Sequence, residues 1–204
     1  MKELNLEFKL SIIWAFFALA ILVLTGSFGL IIRVNQAELI SLNVDTLYTL
    51  LTYHGLVNVS LFFLASYFLS RALIAKYVTL NRRISLISSI ILIVGFIGIS
   101  ISILGGKMAL GWYFLYPIIF YESQEWSRII WIFSMLLIGI GLLISSIDNV
   151  RASKAKYGFM NALGWQYLSG MKEPEVPPVV LINTVSSIVT IYAILACLLY
   201  TSDA

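Results

Sequence analysis

The chain has 204 residues, 60% of them hydrophobic and 11% charged, with a mean hydropathy of +0.97. Soluble domains are about a quarter charged, so this composition excludes a soluble globular domain and describes an integral membrane protein. The formal net charge of +3 is no nucleic-acid footprint, because the basic residues fall in the polar connections between apolar runs.

Five apolar segments approach or exceed the ~20 residues that span hydrocarbon. They lie near 10–32, 47–69, 84–104, 129–146 and 179–196. Each is too long and continuous for a barrel strand, which alternates over about ten residues. The expected fold class is therefore all-α, a polytopic bundle of five transmembrane helices. The first segment is too long for a signal-peptide core and lacks a small-residue cleavage site. It closes on Leu30-Ile31-Ile32-Arg33-Val34-Asn35-Gln36-Ala37-Glu38, where an arginine at the boundary snorkels to the interface or contacts a buried group.

The second segment carries the chain's single histidine, His54, followed directly by Gly55. An ionisable ring inside a membrane helix is costly and marks a site by default. A neutral imidazole can ligate a metal, haem iron included, or hydrogen-bond a neighbouring helix, and composition alone does not separate the two. The missing side chain at Gly55 leaves room for a flat, bulky group. The third segment is rich in small residues (Ser88, Ser89, Gly95, Gly98, Ser100 and Ser102), which read as helix-packing surfaces.

Trp112, Tyr113, Tyr116, Tyr121 and Trp126 follow it and read as an interfacial aromatic belt. After the fourth segment, 154–171 mixes Lys154 and Lys156 with Phe159, Leu163, Trp165 and Leu168, the pattern of an interfacial helix. Pro177 and Pro178 then suit a helix start, where a missing N–H costs nothing. The one cysteine, Cys197, permits no internal disulfide and no thiolate cluster.

Lys and Arg outside the spans set orientation. Lys2, Lys9, Arg71, Lys76, Arg82, Arg83, Arg151, Lys154, Lys156 and Lys172 fall on one side, and Arg33, Lys107 and Arg128 on the other. The N-terminus is expected to be cytoplasmic. Arg71, Lys76, Arg82 and Arg83 read as a topology anchor between the second and third helices.

The run from Leu47 to Asn58 holds Tyr48, Leu51, Thr52, His54 and Gly55 in the pattern Tyr-x-x-Leu-Thr-x-His-Gly. It resembles the second transmembrane helix of subunit I of the haem-copper terminal oxidases, where that histidine is an axial ligand of the low-spin haem. The Asn58 position is most similar to the B-type branch. The basic loop after helix two lacks the Asp, Asn and Pro pattern of the A-type branch. The first helix's ending resembles the family's, which implies a haem-side contact for Arg33. The aromatic run ending Tyr116-Pro117 is similar to the family's Tyr-Pro-Pro-Leu, with Ile118 in place of the second proline.

The resemblance implies that His54 binds low-spin haem iron, with Tyr53 and Asn58 nearby to tune it. It implies a catalytic subunit that reduces oxygen to water, translocates protons and works in the plasma membrane of a bacterium or archaeon. Its partners would be a copper-bearing subunit II, the lipid bilayer, and cytochrome c, a small copper protein or quinol as electron donor.

One histidine supplies neither both haem ligands nor a copper site. Residues 1–196 therefore read as the N-terminal transmembrane portion of such a subunit, with no catalytic residue of the oxygen-reducing centre. The high-spin haem and copper are expected in later segments. Residues 197–204 resemble the translated end of a sequencing adaptor and read as a non-native tail. The alternatives are a nitric-oxide-reducing relative, a small polytopic transporter and a stand-alone haem-binding membrane protein.

Overall fold

The computed structural model describes residues 6–109, 124–170 and 175–202. Among them the regular elements are all helices: α1 Leu6–Gln36, α2 Val44–Ile74, α3 Arg82–Gly106, α4 Glu125–Tyr157, α5 Phe159–Ala162, α6 Trp165–Leu168 and α7 Pro178–Ser202. Five of these are long and apolar enough to cross a membrane, one for each apolar segment of the sequence. The aromatic belt lies outside the described residues, apart from Trp126 in the first turn of α4.

The helices overrun the apolar segments because their polar ends are also helical. Asn43 caps α2 by accepting the Thr46 N–H at 2.8 Å. Asn81 caps α3 by accepting the N–H groups of Arg83 and Ile84 at 2.9 and 3.3 Å. Each cap satisfies donors that the first turn leaves orphaned. Pro178 occupies the first position of α7, as its ring geometry favours. Beyond the apolar stretch, α4 continues to Tyr157 with Lys154 and Lys156 in its last turn, where cations complement the helix dipole.

The chain divides into two compact units. One comprises residues 13–66 and 93–138. In it α3 and α4 run antiparallel at close range, because glycines on α3 meet small residues on α4. A Cβ at Gly95 would lie 2.9 Å from the Ser134 carbonyl, and one at Gly98 or Gly106 would collide with the side chain of Ser134 or Ser127. Ser102 Oγ donates to the Ser127 carbonyl at 2.6 Å. Small residues thus bring these backbones together, as they do between membrane helices generally. Edge-on aromatic contacts, Trp14–Phe17 at 5.2 Å and Phe17–Phe96 at 5.7 Å, add to this core.

The other unit comprises residues 1–12, 67–92 and 139–204. Its apolar centre is Ile74, Val78, Ala152, Val176 and Val180, beside which lies a buried polar network. The Arg71 guanidinium donates to Asp148 Oδ2 at 3.1 Å, Asn149 Oδ1 at 2.8 Å, Ser85 Oγ at 2.7 Å and the Ser145 carbonyl at 3.1 Å. Ser85 Oγ in turn donates to Glu7 at 2.9 Å, and Asp148 also pairs with Arg151 at 2.7 Å.

Two expectations are corrected here. Arg71 is no exposed loop cation: α2 continues to Ile74 and buries it against a carboxylate that the sequence placed outside the membrane helices. The expected interfacial helix over 154–171 is also not one helix. Gly158 (φ 81°), Gly164 (φ 85°) and Gly170 (φ 73°) take left-handed backbone conformations that only glycine adopts freely. They divide the segment into the end of α4 and two single turns, α5 and α6.

Candidate functional site

An imidazole within an apolar helix needs a partner for its N–H, since an unpaired polar group there is costly. His54 finds one on α1, where its Nδ1 lies 2.8 Å from the Thr25 carbonyl oxygen. A carbonyl only accepts, so Nδ1 carries the proton, and of the two neutral tautomers this is the one that keeps its lone pair on Nε2. The ring can come so close because residue 29 is glycine. A Cβ there would lie 2.9 Å from His54 Cε1 and 3.2 Å from Nδ1.

Thr25 itself is fully buried and engages α2 twice. Its hydroxyl donates to Asn58 Oδ1 at 2.6 Å, while its carbonyl holds His54, one helical turn away. The facing turns of α1 and α2 are thereby locked in register. Tyr53 sits beside His54 in sequence but belongs to the aromatic core, edge-on to Phe28 at 5.5 Å.

Arg33 lies exposed in the last turn of α1, where it donates to Gln36 Oε1 at 2.8 Å. That hydrogen bond does not join it to His54. Its place on the helix does relate it to the site, because residues seven apart share a face, and Gly26 is seven before it. A Cβ at Gly26 would meet nothing within 4 Å, so α1 is open at that position.

Thr25 and Gly29 escaped the sequence reading. Their signal is faint: Thr25, Gly26, Ser27 and Gly29 are a cluster of small residues, but α1 also carries Ser11, Ala15, Ala18 and Ala20.

Among the described residues no three His, Cys, Asp or Glu side chains gather to hold a metal ion. The donor set at this site is one imidazole whose Nδ1 is engaged by Thr25, which leaves Nε2 as the candidate ligating atom. That suits iron already held in a haem plane, which takes one protein ligand per face. A free copper ion needs several imidazoles at once.

The family model for cytochrome c and quinol oxidase polypeptide I matches residues 9–201. The chain belongs to this family. No curated protein and no solved structure matches it significantly. As a polypeptide I it is a subunit of a haem-copper terminal oxidase, an oxidoreductase, and its five apolar helices make it a multi-pass integral membrane protein. Family members bind haem and copper. In this oxidase polypeptide, His54 is the single histidine.

Proposed function

We propose that His54 is an axial ligand of a low-spin haem in the catalytic subunit of a respiratory oxidase of the B-type branch. In this reading the assembled enzyme reduces oxygen to water with coupled proton translocation, in the plasma membrane of a bacterium or archaeon. Electrons would arrive from a copper-bearing partner subunit supplied by cytochrome c, a small copper protein or quinol. The observation that carries the proposal is the hydrogen bond from His54 Nδ1 to the Thr25 carbonyl. Histidines that ligate metals donate their second ring N–H to such an acceptor, which fixes the tautomer and raises the basicity of the ligating nitrogen.

Haem bound there would supply a one-electron iron centre. The chain's own residues do the rest. Thr25 holds the imidazole in one tautomer and one orientation, and Gly29 sets how near the ring stands to α1. Asn58 ties the next turn of α2 to Thr25 and so resists sliding of the two helices. Arg33, on the face of Gly26, offers a cation to any acidic substituent lying along α1.

The test is His54→Ala in the full-length oxidase. The low-spin haem absorption band is expected to vanish while the protein still inserts, and an unchanged spectrum overturns the assignment. The orientation has its own test. The excess of Lys and Arg on one side supports a cytoplasmic N-terminus, so a reporter fused after Lys76 should read cytoplasmic. A reading from the opposite side of the membrane reverses the topology.

A further inference from the structure

The segment between α4 and α7 rejoins the transmembrane part of the chain instead of standing off in water. Beyond the break at Gly158, α5 and α6 turn an inner side to the protein, where Ala162 and Gln166 are fully buried. Two observations tie α6 to the start of α7. A Cβ at Gly164 would lie 3.5 Å from Leu181 Cδ2, and Tyr167 Oη donates to the Val176 carbonyl at 3.1 Å. Residues 176–181 are where the chain passes from its polar connection into the apolar span of α7. The two short turns therefore sit level with that entry.

The outer side of these turns is apolar. Trp165 is 50% exposed and Leu168 81%, with Phe159 and Met160 exposed beside them. The charge alongside is cationic. Lys154 and Lys156 are exposed in the last turn of α4. Lys156 donates to the Tyr77 carbonyl, which brings the turn bearing Lys76 next to it. Glu175 is the exposed carboxylate among the described residues of this segment.

We propose that α5 and α6 form a monotopic anchor lying in the headgroup layer, with the occupant of their outer face being anionic phospholipid. Trp165, Leu168, Phe159 and Met160 reach the hydrocarbon boundary, while Lys154 and Lys156 engage the phosphates. A tryptophan suits this boundary because its ring is apolar and its N–H finds polar partners in the headgroups. Apolar side chains beneath and lysines above are the arrangement by which interfacial segments select negatively charged leaflets. Level placement with the α7 entry separates this reading from a water-exposed loop, and the cations separate it from simple burial in lipid tails.

The test places the full chain in phosphatidylcholine vesicles with a share of the lipid brominated. The emission of Trp165 is taken as the difference between the parent and Trp165→Phe. Brominated lipid is expected to quench it, and brominated phosphatidylglycerol should do so more strongly than brominated phosphatidylcholine. Each lysine contributes a factor of about five to that preference, so Lys154→Gln with Lys156→Gln should lower the ratio markedly, with Lys76 keeping part of the preference.

Quenching by aqueous acrylamide and not by bromolipid puts the segment in water and overturns the proposal. Quenching by neither means that protein covers the face, a second copy or another subunit, and overturns it equally. Equal quenching by the two lipids refutes the anionic selectivity. Should Trp165→Phe fail to insert, a bimane on Leu168→Cys in a Cys197→Ser chain reads the same quenchers.

Discussion

Replacing Gly29 by alanine tests whether the approach of His54 to α1 is as close as the geometry requires. The added methyl would stand 2.9 Å from His54 Cε1, against an ordinary carbon contact of ~3.5 Å or more. The ring must withdraw by roughly 0.6 Å to restore that contact. Thr25 and Gly29 are on the same helix, so the same withdrawal stretches the 2.8 Å hydrogen bond to Thr25 beyond the useful range of about 3.2 Å. Overpacking of this kind costs about 1–3 kcal/mol. Alanine also gains about 1 kcal/mol over glycine in a helix, which would mask part of the loss.

Gly26→Ala removes that ambiguity. It lies one turn away on the same helix, has the same propensity gain, and its Cβ meets nothing within 4 Å. Gly29→Ala should therefore be less stable than Gly26→Ala by about 1–3 kcal/mol. Reversible unfolding in mixed micelles with increasing dodecyl sulfate, followed by circular dichroism, measures the difference. Equal stabilities would refute the close packing of His54 on Gly29.

Two further outcomes follow from the packing. Arg71→Leu leaves the buried Asp148 with Arg151 and the Asn81 N–H, and removing one partner of a buried pair costs about 3–5 kcal/mol. The double variant with Asp148→Leu should recover part of this in the same unfolding assay. Full recovery is not expected, because Asp148 also accepts from the Asn81 N–H and pairs with Arg151. Gly98→Ala should lower stability by about 1–3 kcal/mol through collision with Ser134, and Ser134→Gly should restore it. No rescue would mean that α3 and α4 do not meet at this position.

His54 was legible in the sequence because an imidazole in an apolar run stands out by its cost, whatever surrounds it. The helices were legible because hydrocarbon thickness imposes a length on them. What the sequence hid depends on register between helices. Nothing in the α1 sequence announces that the Thr25 carbonyl, a backbone atom with no side-chain signature, meets a histidine 29 residues later. Arg71 was misread for a related reason. It stands close to a basic loop in sequence, and its burial follows from a carboxylate on α4. The glycines at 158, 164 and 170 were plain to see, but their left-handed backbone, which splits one expected helix into two turns, was not.

The Arg71 network also bears on how the chain is made. Arg71 leaves the ribosome 77 residues ahead of Asp148, an interval of about 4–15 s at ordinary translation rates. Throughout it, α2 carries a guanidinium whose carboxylate does not yet exist. Ser85, only 14 residues behind, is the first partner to arrive, and it links to Glu7, which is already made. The early helices thus have a provisional polar clasp of their own, and α4 completes it on arrival. The network therefore cannot close until α4 is made, because Asp148 and Asn149 are the last of its partners to be synthesised.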